Sequence, residues 1–307
     1  MVLSIGEILV DIFLDGEKKT VFPGGAPFNV ASNIAHFNGD VSFFGAIGND
    51  EYGHQLIEFA QKRIKHLYLG VLSDRHTTEA IVTLLNGERS FRFNRDLGAD
   101  YILDINKLSR IDFKDIKIAH IGSLMLSYLE GEKFFFEAIK YIKSHSHALI
   151  SFDVNYRDDI FESEQQAKNI FLKAIKEADI LKFTEEELEL LTGHKNVLDG
   201  LKSLLSNKQV AVVTLGKEGS IFYSKDKYLK VSSFPLKPVD TTGAGDGFYS
   251  YFLYALDKGL DITNDEEIKS TLLRANVVGG LTTQKKGAID AVPSLEEIEQ
   301  FLKLKQS

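Results

Sequence analysis

The chain is predicted to be an α/β protein built around a central, mostly parallel sheet. Short, near-continuous apolar runs alternate with longer stretches of helical period, which is the order of repeated βα units. The runs carry almost no polar positions, as expected of strands covered on both faces. The length, 307 residues, is enough to bury a substantial core on either side of such a sheet.

Taken in order, Val2 to Ile5 is a strand, Phe28 to Phe37 helix-like, Val41 to Phe44 a strand and Glu51 to Ile64 a helix. Ile116 to Ile121, Ala148 to Phe152, Ile180 to Phe183 and Val210 to Leu215 continue the apolar runs. Helical patterns fill 130–144, 162–178 and 186–205 between them. Gly219 to Tyr223 then pairs with Tyr228 to Val231, and helices follow at 244–257, 265–281 and 294–304. Two stretches break this rhythm. Ile12 to Phe22 and Thr77 to Phe93 read as hairpins with turns at Asp15-Gly16 and Asn86-Gly87. They are assigned to a small antiparallel sheet over the edge of the main one. No repeat, low-complexity tract or linker divides the chain, so residues 1–307 read as one domain.

Composition narrows the function. Hydrophobic residues make up 44%, charged residues 26% and proline 5 positions, as in folded globular proteins. Lys plus Arg number 36 against 44 Asp plus Glu, and the net charge of −8 argues against nucleic acid or an anionic bilayer as partner. A small anion bound by backbone dipoles is still compatible with it. The absence of Cys excludes disulfides, thiolate nucleophiles and Cys-ligated metal. His145 and His147 sit close in sequence but read as helix-end or surface residues, and no HExxH spacing occurs. The N-terminus enters strand-like sequence without a basic leader, so the chain reads as a mature cytoplasmic protein without a membrane span.

The sharpest motif is DTTGAGDGF, Asp240 to Phe248, which opens an apolar helical pattern. Gly243, Ala244 and Gly245 leave little bulk over the first-turn amides, so a phosphate can approach the positive end of the helix. Asp246, one position on, is a candidate base for an attacking hydroxyl. The same stretch alone could be a tight turn capped by Thr242 or Asp246. Neither GxGxxG nor GxxxxGK[ST] occurs there, which speaks against a dinucleotide fold or a Walker loop. A second cluster combines Gly24 and Gly25 with Asn29, while Asp11 is placed just after the first strand. Together they suit a neutral polyol, although each alone is more often a turn or cap.

GGAPFNVASNIAHFNGDVSFFGAIGNDEYG and DTTGAGDGF together resemble the two signatures of the PfkB, or ribokinase-like, family of carbohydrate kinases. FDVNYR, ADIxxxxxxE, VTLGKEG, ANVVGG and KKGAID follow the family's order over nearly the whole chain. The resemblance implies a three-layer α/β/α fold with a small β-sheet lid, here about 12–22 and 77–95. It implies transfer of the γ-phosphate of ATP to an alcohol, with Asp246 as base and 243–246 as anion hole. Asp11, Gly24, Gly25, Asn29 and Arg157 would hold the sugar. Lys182, Thr214, Gly216 and Gly219 would line the nucleotide region, with Asn276 and Gly279 near the adenine. ATP implies Mg2+, with an indirect role for Glu187. The family's Asn-x-x-Glu is here Thr184-Glu185-Glu186-Glu187, so Thr184 departs from the pattern. A K+ site is implied at Asp240, Thr242 and Gly287.

Within the family, IGEILVD, ERSFRFNRDLGAD, HIGSLML and FDVNYR resemble the fructokinase branch, with Arg95 as its lid-side arginine. That resemblance implies phosphorylation of D-fructose to fructose 6-phosphate, and pairing of two copies through the lid. A kinase for 2-keto-3-deoxygluconate or ribose is the nearest alternative. A noncatalytic sugar-binding protein is the alternative from another class.

Overall fold

The structure, a computed structural model, describes residues 1–16, 18–85 and 88–306. The first third contains β1 (Val2–Ile5), β2 (Leu9–Asp15), β3 (Lys18–Gly24), α1 (Ala26–His36), β4 (Val41–Gly48), α2 (Glu51–Gln61), β5 (His66–Leu72), β6 (Glu79–Leu85) and β7 (Glu88–Asn94). The middle contains β8 (Ile118–Ile121), α3 (Leu129–His145), β9 (Leu149–Asp153), α4 (Glu164–Glu177), β10 (Ile180–Thr184), α5 (Glu185–Thr192) and α6 (Val197–Leu204). The last part contains β11 (Val210–Thr214), β12 (Ser220–Ser224), β13 (Lys227–Val231), α7 (Ala244–Asp257), α8 (Asp265–Thr282) and α9 (Leu295–Gln306).

The main sheet runs β13-β12-β11-β10-β9-β8-β1-β4-β5. Every pairing from β11 to β5 is parallel, and β12 and β13 add an antiparallel edge. Alternation of side chains along each strand divides the core into two layers. Leu3, Ala119, Ile150, Leu181 and Val213 pack with Phe135, Phe171, Leu188 and Leu201, so α3 to α6 cover one face. Val2, Ile118, Ile180 and Val212 pack with Phe28, Leu56, Phe252, Leu272 and Ile298, so α1, α2, α7, α8 and α9 cover the other. This is the α/β/α arrangement that the apolar runs predicted. Among the described residues no helix is long and apolar enough to cross a membrane.

Local signals explain most boundaries. Asp50 accepts a hydrogen bond from the Gly53 amide at the start of α2, and Ser163 does the same from Gln166 at α4. The pattern at 186–205 proves to be two helices. Gly193 ends α5 in a left-handed conformation, φ 75°, and Asn196 caps α6. The β5 strand, unassigned from sequence, pairs along the sheet's outer edge with β4.

The two predicted hairpins form a second sheet of order β3-β2-β6-β7. Each hairpin is antiparallel internally, but β2 and β6 pair in parallel, so the small sheet is mixed rather than antiparallel throughout. Its parallel seam follows from chain path. β2 starts three residues after Gly6, the glycine that follows β1, and β6 enters from β5, so both depart from the carboxyl ends of parallel strands. Gly16 turns the first hairpin at φ 58°, whereas the predicted turn at Asn86-Gly87 lies outside the described residues.

Candidate active site

In open α/β sheets, ligands collect beyond the carboxyl ends of the strands. Here those ends deliver Glu7 after β1, Asp153 closing β9, and Lys182 and Thr184 on β10. The start of α7 and the inner side of β2 complete a cavity of about 530 Å3 lined by Asp11, Asn29, Arg157, Lys182, Gly245 and Asp246 among others. A larger surface groove, about 720 Å3, is lined only by residues of α7, α8 and the turn between them, away from every strand end.

One half of the cavity is rich in carboxyl groups. Asn29, buried on α1, donates from Nδ2 to Asp246 Oδ2 at 2.7 Å. That bond fixes the carboxylate of α7 against α1. Asp11 lies within β2 rather than directly after the first strand, because β1 ends at Ile5 and Gly6, φ 147°, turns the chain. Gly24 pairs with Leu9 in the hairpin, two residues before Asp11, and a Cβ on it would come 2.3 Å from Asp11 Oδ2. Gly24 therefore seats Asp11 and does not itself line the cavity. Gly25 does line it, at φ 106°, and a Cβ there would meet the Glu7 carbonyl at 2.5 Å.

Burial raises the proton affinity of these carboxyls. Asp11 is pushed up to about 7, by burial first and then by the charges of Asp246 and Asp240, with Arg157 opposing. Asp246 is also raised, chiefly by burial, against the Asn29 hydrogen bond; Asp153 adds to the rise, while Lys182 and Arg157 oppose it. Glu7, which the sequence reading passed over, lines the same cavity at 1% exposure. Its carboxyl is pushed up to about 8, mainly by burial, with its own amide opposing and the Asp100 charge adding. An acidic residue inside the apolar stretch VLSIGEILV was the available signal, since Glu is rarely buried without a partner.

The other half is organised by paired charges. Gly243 caps α7 at φ 76° with no side-chain cap, so neither Thr242 nor Asp246 serves as the N-cap. A Cβ on Gly243 would meet Ala288 at 2.5 Å, whereas one on Gly245 would meet only the end of Lys182 at 3.5 Å. Gly243 is thus needed for conformation and packing, and Gly245 keeps the approach to the helix open. The Ala244 amide is directed at the Thr241 carbonyl at 3.3 Å. First-turn amides beyond it point along the axis without an intrahelical acceptor, which is the geometry that binds anions.

Lys182 Nζ bonds both carboxylate oxygens of Asp153 at 2.8 Å, and both residues are buried. Burial alone would lower the lysine's proton affinity, but the charges of Asp153 and Glu187 raise it overall. Asp153 was also passed over from sequence; a carboxylate ending a continuous apolar strand is its signal. Glu187 accepts from the Tyr156 amide at 2.9 Å and from the Thr184 amide at 2.8 Å. Thr184 reciprocates by accepting from the Glu187 amide, forming a capping box.

Other expected site residues have tasks inside the protein. Arg95 is 3% exposed and does not line the cavity. Its guanidinium pairs with Asp100 at 2.6 Å and also donates to Ser127 and the Leu124 carbonyl. Thr214 donates to the Phe183 carbonyl, and Gly216 and Gly219 form the turn between β11 and β12, with φ 55° and 111°. Asn276 donates to the Val231 carbonyl, and Gly279 brings α8 against the Ala244 carbonyl, where a Cβ would lie at 3.0 Å. Asp240, Thr242 and Gly287 do converge: Asp240 accepts from the Thr242 amide and hydroxyl and from the Gly287 amide.

A doubly covered parallel sheet with a lysine-flanked helix start and a buried carboxylate beside it at the strand ends is the arrangement of an α/β protein with a ligand cavity at its topological edge. Residues 1–295 match the pfkB family carbohydrate kinase, and the chain belongs to that family. It is 35% identical to the probable fructokinase-2 of Arabidopsis thaliana, covering 99% of this chain and 96% of that protein. It is 33% identical to the fructokinase of Vibrio alginolyticus, covering 97% of each. The crystal structure of the fructokinase from Vibrio cholerae O395, in its fructose, ADP and calcium ion bound form, superposes with a TM-score of 0.88 at 33% identity over 98% of each chain. The fructokinase of Xylella fastidiosa with bound ATP gives 0.90 at 28% identity, over 100% of this chain and 99% of that one.

Proposed function

We propose that this chain is a fructokinase that converts ATP and D-fructose to ADP and fructose 6-phosphate. The observation that carries the reading is Asp246: a carboxylate of raised proton affinity, fixed by Asn29, in the first turn of α7 and facing a polyol-sized cavity. In this mechanism Asp11 and Asn29 orient the sugar, and Asp246 accepts the proton of its 6-hydroxyl. The hydroxyl oxygen attacks the γ-phosphorus while the bond to the β-phosphate oxygen breaks, and ADP leaves. Amides of the first turn of α7, with Lys182 and Arg157, offset charge on the moving phosphoryl group. No covalent enzyme intermediate is required.

Mg2+ would bind chiefly to phosphate oxygens and water, which suits a site offering two carboxylates, Asp153 and Glu187, already engaged with Lys182 and backbone amides. Bound there, it would neutralise phosphate charge. The buried carboxylate of Asp240, where two loop segments converge, suits a monovalent cation such as K+. The small sheet, which carries Asp11 over the cavity, would act as a lid that excludes water. Its outer strands β3 and β7 each leave one edge unpaired among the described residues, which favours a second copy of the chain as partner. A monomer in sedimentation would remove the dimer from the reading.

Among the cavity residues the cations are Arg157 and Lys182, and Lys182 is already bound to Asp153. Arg157 donates to the Tyr156 carbonyl, and Glu7, Asp11, Asp158, Asp159, Glu187 and Asp246 line the same cavity, an excess of carboxyls that favours a neutral sugar over the carboxylated 2-keto-3-deoxygluconate. ADP production with Mg-ATP over fructose, ribose, adenosine and 2-keto-3-deoxygluconate tests the assignment. Preference for fructose is expected. Preference for another alcohol would overturn the fructose reading, and no sugar-dependent turnover would leave a noncatalytic binder.

A further inference from the structure

Glu7 has no part in the proton and phosphoryl transfers derived above. It is among the most deeply buried acidic residues, yet neither carboxyl oxygen has a hydrogen-bond partner in any other described residue. The surroundings hold it rigidly. Gly6 precedes it at φ 147°, with Pro27 so close that a Cβ on Gly6 would clash at 2.5 Å. Gly122 leaves room for the carboxyl, since a Cβ there would lie 2.7 Å from Oε2. Two close approaches by glycine therefore shape a slot for a side chain that bonds no other described residue.

A cation is near enough to be used and is not. Arg95 and Asp100 both act on Glu7 through their charges, but the guanidinium is committed to Asp100, Ser127 and Leu124. Glu7 thus stands between that closed ion pair and the cavity it lines, where it also feels the charge of Asp246. Asn29 Oδ1, buried in the same cavity, likewise has no partner among the described residues, although its Nδ2 is bonded to Asp246. Orphaned buried polar atoms are costly, and a group of them lining one cavity marks atoms that a ligand satisfies.

We propose that Glu7 is a specificity-determining residue of the acceptor site, hydrogen-bonding a sugar hydroxyl other than the one that Asp246 deprotonates. This rests on the sugar-kinase reading and assigns that site a further contact beside Asp11, Asn29 and Asp246. Burial keeps the Glu7 carboxyl protonated to about 8, so at neutral pH it can donate as well as accept. A carboxylic acid of that kind recognises a hydroxyl without placing another negative charge beside Asp246. A site built around a hydroxyl strongly rejects an analogue that lacks it, because the buried group is then left unpaired.

The test compares wild type, Glu7→Gln and Glu7→Met with fructose and its monodeoxy analogues, reading kcat/KM and thermal unfolding. Glu7→Met should lower kcat/KM for fructose by about 10- to 100-fold. Glu7→Gln, which keeps a donor and an acceptor, should stay within about fivefold of wild type. For one deoxy analogue, the penalty seen in wild type should vanish in Glu7→Met. The Tm of Glu7→Met should hold or rise, since an orphaned polar group is replaced by an apolar one of similar length. An unchanged penalty for every analogue would overturn the proposal, as would a lowered Tm with kcat/KM restored by neither variant. A wild type that turns over no ketose would instead overturn the fructose reading, and this inference with it.

Discussion

The two halves of the cavity solve opposite electrostatic problems. On the side proposed for phosphate, Lys182 is answered by both oxygens of Asp153, and Glu187 by two backbone amides. On the side proposed for the sugar, Glu7, Asp11 and Asp246 share one buried region, all with raised proton affinity, and the Glu7 oxygens and Asn29 Oδ1 have no partner in any other described residue. On the proposed reading, the half with Lys182 and Glu187 is preassembled for a highly charged nucleotide, and the half with Glu7, Asp11 and Asp246 is left incomplete for a neutral polyol.

The largest expected effect removes the base from the incomplete half. Asp246→Asn should lower kcat by about 10^3- to 10^4-fold with little change in sugar affinity, measured by ADP release and calorimetry. Near-normal turnover would remove Asp246 as the required base. On the preassembled half, Lys182→Met leaves Asp153 unpaired and should cost about 3 kcal/mol in urea unfolding. A loss of only a few tenths would mean that the pair is not buried as described.

Gly24→Ala sharpens the comparison, since the three atoms nearest its Cβ all belong to the Asp11 carboxyl. The KM for sugar should rise about tenfold while that for ATP stays within about twofold. Equal changes in both would contradict the division into halves. The smallest effect is expected for Thr184→Asn, which restores the residue usual in the family. Asn is as good an N-cap as Thr, so stability should move by no more than a few tenths of a kcal/mol. The KM for ATP should change by about threefold or less, because Thr184 is committed to the cap.

Much of this was legible in the sequence, for physical reasons that also explain the gaps. The apolar runs of β1, β8, β9, β10 and β11 marked strands covered on both faces. β5 lies on an edge and is mostly half-buried, so HLYLGVL lacks the continuous apolar signature of a central strand. The parallel pairing of β2 with β6 joins distant segments and leaves no local trace. The motif DTTGAGDGF located the start of α7 and Asp246, whereas Arg95 illustrates what a motif cannot say, because its partner Asp100 decides where its donors point. Glu7 and Asp153 were hidden because each looks like the polar end of a strand until burial shows that it has nowhere else to go.

The pH dependence of kcat/KM for fructose tests the account most directly. Asp246 must be unprotonated to act, and its folded proton affinity is raised above the ordinary 3.8, so activity should be present at high pH and lost as pH falls through the raised value. Protonation of Asp11, pushed up to about 7, acts in the same direction. An acid limb lying above the ordinary carboxylate range is expected; a kcat/KM unchanged down to about pH 4 would contradict the role of Asp246 as base.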